Sequence, residues 1–176
     1  MTIADFAKMY AEEKHKGQYR KDNITEYVEH PIAVAELVRK YKKSHNIERL
    51  VAVAYLHDVL EDTDTTYPEI VDNFGYDVAS LVMEVTSIKE MKDAIGKEKY
   101  LSYKLKNMTE WALVIKLCDR LHNIKDSIGL PHDRRLSYIN ETKYIIKYIE
   151  ENRKLTKTHI KIIEDIMKEI NEKDVN

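Results

Sequence analysis

Ile47-Glu48-Arg49-Leu50-Val51-Ala52-Val53-Ala54-Tyr55-Leu56-His57-Asp58-Val59-Leu60-Glu61-Asp62 is the stretch on which the reading of this chain turns. Read as a helix, residues 47–62 place Ile47, Leu50, Val51 and Ala54 on one face. One or two turns further on, the same face carries His57, Asp58, Glu61 and Asp62. Val53, Leu56 and Leu60 make the opposite side apolar too, so the helix is expected to be buried on most sides. Four ionisable groups at the end of a buried stripe are costly unless they are paired or hold a cation. Carboxylates capping the next turn are the plainer alternative, but they would not explain the apolar stripe beneath them. The pattern points to a metal site.

Helix-period patterns run outward from this segment in both directions. A first helix starts after Thr2, buries Ile3, Phe6, Ala7 and Tyr10, and stops at His15-Lys16-Gly17. Residues 18–29 read as a polar loop. His30-Pro31 opens the next helix, with Pro31 at its first position and Ile32, Ala35 and Val38 inside. After the turn at 63–66 a short helix ends at Phe74-Gly75, and Val78, Leu81, Val82 and Val85 mark another. The charged stretch 87–108 is helical in parts, with a break at Gly96. A strong helix over about 109–127 carries an apolar stripe of Val114, Leu117, Cys118, Leu121 and Ile124, with Asp119, His122, Asn123 and Asp126 on an adjacent face. Two amphipathic helices follow Gly129-Leu130-Pro131, over about 132–150 and 156–172. The expected architecture is all-α: a single-domain helical bundle over residues 1–176.

Composition agrees. With 4 Gly and 3 Pro in 176 residues there is little room for hairpins or linkers, and 43% hydrophobic residues suffice for a core. A net charge of −2 argues against a nucleic-acid-binding face. No apolar run approaches membrane-spanning length, and the N-terminus lacks a signal-peptide layout. The one cysteine, Cys118, permits no internal disulfide and suits a reducing compartment, so a cytoplasmic location is expected. Oligomeric state is not legible from these features.

His57 and Asp58 are neighbours in sequence and cannot enclose an ion alone. His30, at a helix start, and Asp119, on the polar face of an apolar helix, are the best-placed further candidates. Two imidazoles with two carboxylates make a nitrogen/oxygen site suited to Mn²⁺, Fe²⁺, Zn²⁺ or Mg²⁺. Plainer readings exist for each: His30 as a cap before Pro31, and Asp119 as a surface ion pair with Arg120. His122 reads as structural, and His15, His45, His132 and His159 as surface residues. Tyr138, Tyr144 and Tyr148 read as core and surface edges, and Cys118 as a small buried apolar residue.

At this point the chain resembles the HD-domain metal-dependent phosphohydrolases, and within them the hydrolase domain of the stringent-response RelA/SpoT homologues and their small stand-alone relatives. The resembling segments are His15-Lys16-Gly17-Gln18-Tyr19-Arg20-Lys21, Tyr27-Val28-Glu29-His30-Pro31, Leu56-His57-Asp58-Val59-Leu60-Glu61-Asp62-Thr63, Phe74-Gly75 with Val85-Thr86, and Ile115-Lys116-Leu117-Cys118-Asp119-Arg120-Leu121-His122-Asn123. Their order and spacing match across about residues 5–128. The resemblance implies an HD-fold bundle with metal ligands His30, His57, Asp58 and Asp119, most often holding Mn²⁺. It implies a catalytic pair, Glu61 and Asp62, acting on the attacking water. It assigns Arg20, Lys21 and Asn123 to the nucleotide substrate. The implied reaction is hydrolysis of the 3′-pyrophosphate of ppGpp or pppGpp. One departure falls in the substrate loop: Arg20-Lys21-Asp22-Asn23-Ile24-Thr25-Glu26-Tyr27 lacks the family's Gly and Pro and is one residue longer. The alternatives are the same chemistry on another nucleotide, such as the 2′-phosphate of NADPH or a nucleoside phosphate, and a non-catalytic module that binds metal and nucleotide.

Overall fold

The computed structural model describes residues 1–174, and the chain divides into two compact units, Met1–Thr86 and Ser87–Asn176. In the first unit, α1 (Ile3–Lys14), α2 (Glu29–Tyr41) and α3 (Ile47–Leu56) are followed by α4 (Val59–Asp62), α5 (Tyr67–Phe74) and α6 (Tyr76–Val85). Helix α3 is the hub, packed by α1, α2 and α6. Six of its residues, Leu50 to Ala54 and Leu56, are buried, as the all-round apolar pattern predicts. Helix α1 presents Ala4, Ala7 and Ala11 as its fully buried face, and side chains this small let two helix axes approach closely. The larger Ile3, Phe6 and Tyr10 are only half-buried at its margins. A capping box starts α1: Asp5 N donates to Thr2 Oγ1 at 3.1 Å and Thr2 N to Asp5 Oδ2 at 2.8 Å.

The second unit holds α7 (Lys89–Ile95), α8 (Lys97–Asn107), α9 (Glu110–Asp126), a 3₁₀ turn at Ser127–Gly129, α10 (His132–Asn152) and α11 (Lys157–Asp174). Helix α9 packs on α11, and α10 packs on α8. Ile139, Ile145, Ile146 and Ile149 of α10 and Ile162, Ile163, Ile166 and Ile170 of α11 are buried. The break at Gly96 occurs where expected, with φ +87° favouring glycine. Arg153 Nη1 donates to the carbonyls of Leu105, Lys106 and Met108 at 2.6, 3.2 and 2.9 Å, closing the end of α8.

The all-α reading holds: the described residues contain no named strand, only an isolated bridge between Tyr19 and Glu26. No described helix is long and apolar enough to cross a membrane. Three local expectations are corrected. The helix over 47–62 is not continuous, because it ends at Leu56 and restarts at Val59. Pro31 is third in α2, not first, since Glu29 and His30 precede it, and its missing N–H is harmless among the first four. His15 and His159 are buried, not superficial. His159 is accommodated because its Nε2 lies 2.9 Å from Glu110 O while Nδ1 accepts from Thr156 N at 3.2 Å. Arg120, beside Asp119, is buried and donates to Glu141 Oε1 at 3.1 Å and Thr142 Oγ1 at 2.8 Å. Its guanidinium also lies 5.1 Å from the Tyr138 ring centre, and burial pushes that phenol up to about 12.

This buried pair predicts an asymmetry in stability. Glu141→Ala leaves the Arg120 charge buried without its carboxylate and is expected to cost about 3–5 kcal/mol in urea denaturation. Arg39→Ala breaks the exposed Arg39–Glu48 bridge and is expected to cost no more than about 1 kcal/mol.

Candidate functional site

The interruption of the helix builds the site. His57 Nδ1 lies 2.8 Å from the carbonyl oxygen of Ala54, one turn back. A carbonyl only accepts, so Nδ1 carries the hydrogen and a neutral His57 presents the lone pair of Nε2. Asp58, with φ −109° and ψ −4°, lies in the sparsely populated bridge region between α3 and α4. This turn brings Asp58 Oδ2 to 3.0 Å from His57 Nε2. His30, second residue of α2, places its Nε2 3.6 Å from the same oxygen. The two imidazoles meet edge to face with centres 5.1 Å apart. His57 is fully buried, and His30 and Asp58 expose 2% and 13% of their side chains.

Such a meeting of acceptor atoms in a dry setting is favourable only with positive charge among them. Adjacent donors around one cation, at bond lengths of about 2.0–2.2 Å, sit about 3.0–3.5 Å apart. His30, His57 and Asp58 fit a divalent transition metal by donor type and by spacing.

A tyrosine connects this group to the carboxylates of α4. Tyr27 Oη lies 2.7 Å from Asp58 Oδ2 and 2.8 Å from Asp62 Oδ2. Burial, then the charges of Asp58 and Asp62, push its phenol far upward, so it stays a donor. Gln18 Nε2 donates to the backbone oxygen of Asp62 at 2.7 Å. Its other amide atom, Oε1, therefore faces His15 Nδ1 at 2.8 Å, and the His15 ring lies over Tyr27 with centres 4.8 Å apart. After Asp62 the chain is locked by Thr63, whose hydroxyl donates to Val59 O at 2.6 Å. Asp62 is exposed and Glu61 half-buried.

The loop expected over 18–29 is a tight hairpin. Arg20 N donates to Thr25 O at 2.8 Å and Tyr27 N to Gln18 O at 2.9 Å. Asp22 closes its tip, accepting from the Ile24 and Thr25 amides at 2.9 Å each and from the Thr25 hydroxyl at 2.6 Å. These bonds, the Thr25 hydroxyl first, hold the Asp22 carboxyl down at about 2. Asn23 takes the left-handed conformation, φ +58°, as asparagine can where most residues are strained. The guanidinium of Arg20 lies 5.7 Å from the Tyr27 ring centre, while Lys21 is exposed.

In the second unit, Asp119 is half-buried on α9. Lys116 Nζ is 2.7 Å from its Oδ2, and the Asn123 amide donates to its Oδ1. Asn123, expected on the substrate side, thus also holds a carboxylate of its own helix. Sequence reasoning assigned no role to Tyr27, Gln18 or Lys116. Tyr27 and Gln18 stood inside the quoted motifs, and Lys116 one turn before Asp119, but their partners are distant or depend on rotamer.

The HD-domain family pattern matches residues 7–154, reaching well past residue 128 into α10. That helix supplies Glu141 and Thr142, which hold Arg120 beside Asp119. A guanosine-3′,5′-bis(diphosphate) 3′-pyrophosphohydrolase of Xenopus tropicalis is 36% identical over 118 residues, covering 66% of this chain and 65% of that protein. One of Aquifex aeolicus is 39% identical over 145 residues, covering 77% of this chain and 19% of that protein. The chain therefore spans just under two thirds of the first relative and about a fifth of the second. A solved structure, described as a metazoan ortholog of SpoT that hydrolyses ppGpp and plays a role in starvation responses, aligns with a TM-score of 0.79. It is 27% identical, with 96% of this chain and 95% of that chain covered.

The donor set makes a direct prediction. Returning a divalent transition metal to stripped protein is expected to raise its melting temperature, by about 2.7 kcal/mol of stability at a hundredfold excess over Kd. His57→Ala is expected to abolish the shift, and an equal shift in both proteins would remove His57 from the ligand set.

Proposed function

The chain belongs to the HD-domain family, and from that membership we propose that it is a metal-dependent phosphohydrolase of ppGpp and pppGpp. The observation that carries this reading is the convergence of His30, His57 and Asp58 beside a carboxylate on α4. The relatives' named activity supplies the substrate. We assign His30, His57, Asp58 and Asp119 as metal ligands, Asp119 on the strength of its Asp-Arg-Leu-His-Asn motif. We further propose that the two units form one HD-type domain, as a family match running across residues 86 and 87 supports.

Mn²⁺ is the proposed metal; when bound, such an ion lowers the pKa of water and polarises a phosphoryl oxygen. Glu61 and Asp62 orient the attacking water and take its proton. Arg20 offers a guanidinium to stack on the purine, Lys21 a cation for phosphate, and Asn123 an amide on the substrate side. Water attacks the 3′-pyrophosphate, the ester bond to the nucleotide breaks, and GDP or GTP leaves with pyrophosphate as the second product. The exposed Asp62 carboxylate supports catalysis over mere binding, because a binding module gains nothing from a base beside its metal. The reaction is placed in the cytoplasm, the reducing compartment that suits the buried thiol of Cys118.

A second reading rests on the hairpin. Its Asp22–Thr25 bonds give the 20–27 loop its own shape, which could admit another nucleotide, such as NADPH through its 2′-phosphate.

Product analysis with Mn²⁺ and with chelator separates the two. ppGpp is expected to yield pyrophosphate and GDP, and release of single phosphate from other nucleotides with ppGpp untouched would overturn the alarmone reading. Glu61→Ala is expected to keep its metal and lose about 10²–10⁴-fold in turnover. Arg20→Ala is expected mainly to raise KM, by an amount read from initial rates.

A further inference from the structure

The geometry points to Tyr27 as a positioning residue whose single hydroxyl ties the ligand Asp58 to the catalytic Asp62, a role that rests on the reading of this site as a phosphohydrolase centre. Asp62 is exposed and ends a helix of four residues, so little in its own element fixes its rotamer. The Tyr27 hydroxyl supplies that constraint, 2.7 Å from Asp58 Oδ2 and 2.8 Å from Asp62 Oδ2. The hydroxyl has one hydrogen to donate, so it bonds one of the two carboxylates at a time and draws both oxygens toward the same third side chain. Misplacement of a reacting group by about 1 Å can cost about 10²-fold in rate.

Tyr27 is itself held by two neighbours. The His15 ring lies over it at 4.8 Å, tilted by 31°, and the Arg20 guanidinium lies 5.7 Å from the ring centre. His15 is oriented by Gln18, and Gln18 also holds the Asp62 backbone oxygen. The end of α1 and the hairpin therefore reach Asp62 twice, once through its backbone and once through its carboxylate. A tyrosine that served only to fill space would need neither contact of its hydroxyl.

Tyr27→Phe keeps the ring, its stacking and its burial while deleting the hydroxyl, and circular dichroism melts serve as the folding control. With Mn²⁺-loaded protein and ppGpp, kcat is expected to fall about 10–100-fold with KM little changed. In an Asp62→Ala background at saturating Mn²⁺, where the metal itself holds Asp58, the same change is expected to have little further effect on kcat, because the Asp62 carboxylate it positions is gone. Wild-type kcat in Tyr27→Phe, or an equal loss in both backgrounds, would overturn the role. If the wild-type protein leaves ppGpp intact, the alarmone reading fails by itself. The tyrosine is then judged by calorimetric Mn²⁺ titration: a Kd weakened about tenfold is expected through Asp58, and an unchanged Kd overturns the role.

Discussion

Asp58 brings a carboxylate to the end of a buried helix and faces it with two imidazole nitrogens. Desolvating such a carboxylate costs several kcal/mol unless the setting supplies hydrogen bonds and positive charge. His57 turns its Nδ1 to the Ala54 carbonyl and so directs the Nε2 lone pair at Asp58, an arrangement that becomes favourable with a cation between them. The helix breaks at this point, and the break lets a residue of α3's end and a residue of α2's start address one oxygen atom. The apolar body of α3, packed by three helices, keeps these groups from relaxing into water.

The same economy extends outward along hydrogen bonds. The Tyr27 hydroxyl lies between the carboxylates of Asp58 and Asp62, while Gln18 and His15 order Tyr27. The hairpin that bears Arg20 is thereby coupled to Asp62 on α4, although its tip is closed by local bonds of Asp22. In the second unit the logic is electrostatic. Arg120 is drawn into a buried set with Glu141, Thr142 and Tyr138, and Asp119 meets Lys116 and Asn123 on its own helix.

Much of this was open to reading in one dimension. Helix existence follows from the period of the apolar residues and the rarity of glycine, because burying a stripe every 3.6 residues has few other solutions. Gly75 and Gly96 marked ends correctly, since a positive φ excludes most other residues. The chemistry of His57 and Asp58 was legible because ionisable groups beside Leu56 and Ala54 demand a reason. The break between Leu56 and Val59 was not, since no proline or glycine announces it and the His57–Ala54 bond found there depends on a rotamer.

The sequence by itself determined the all-helical class, the family motifs and the residue types capable of holding a metal. Those depend on local periodicity and on chemistry that each side chain carries with it. Tertiary structure alone decided which atoms meet: that His15 and His159 are buried, that Arg120 turns to Glu141 and Thr142, and that Tyr27 reaches Asp58 and Asp62 across 31 and 35 residues. Partners that far apart are chosen by packing and by the need to satisfy every buried polar atom, and neither is a property of any short stretch of chain.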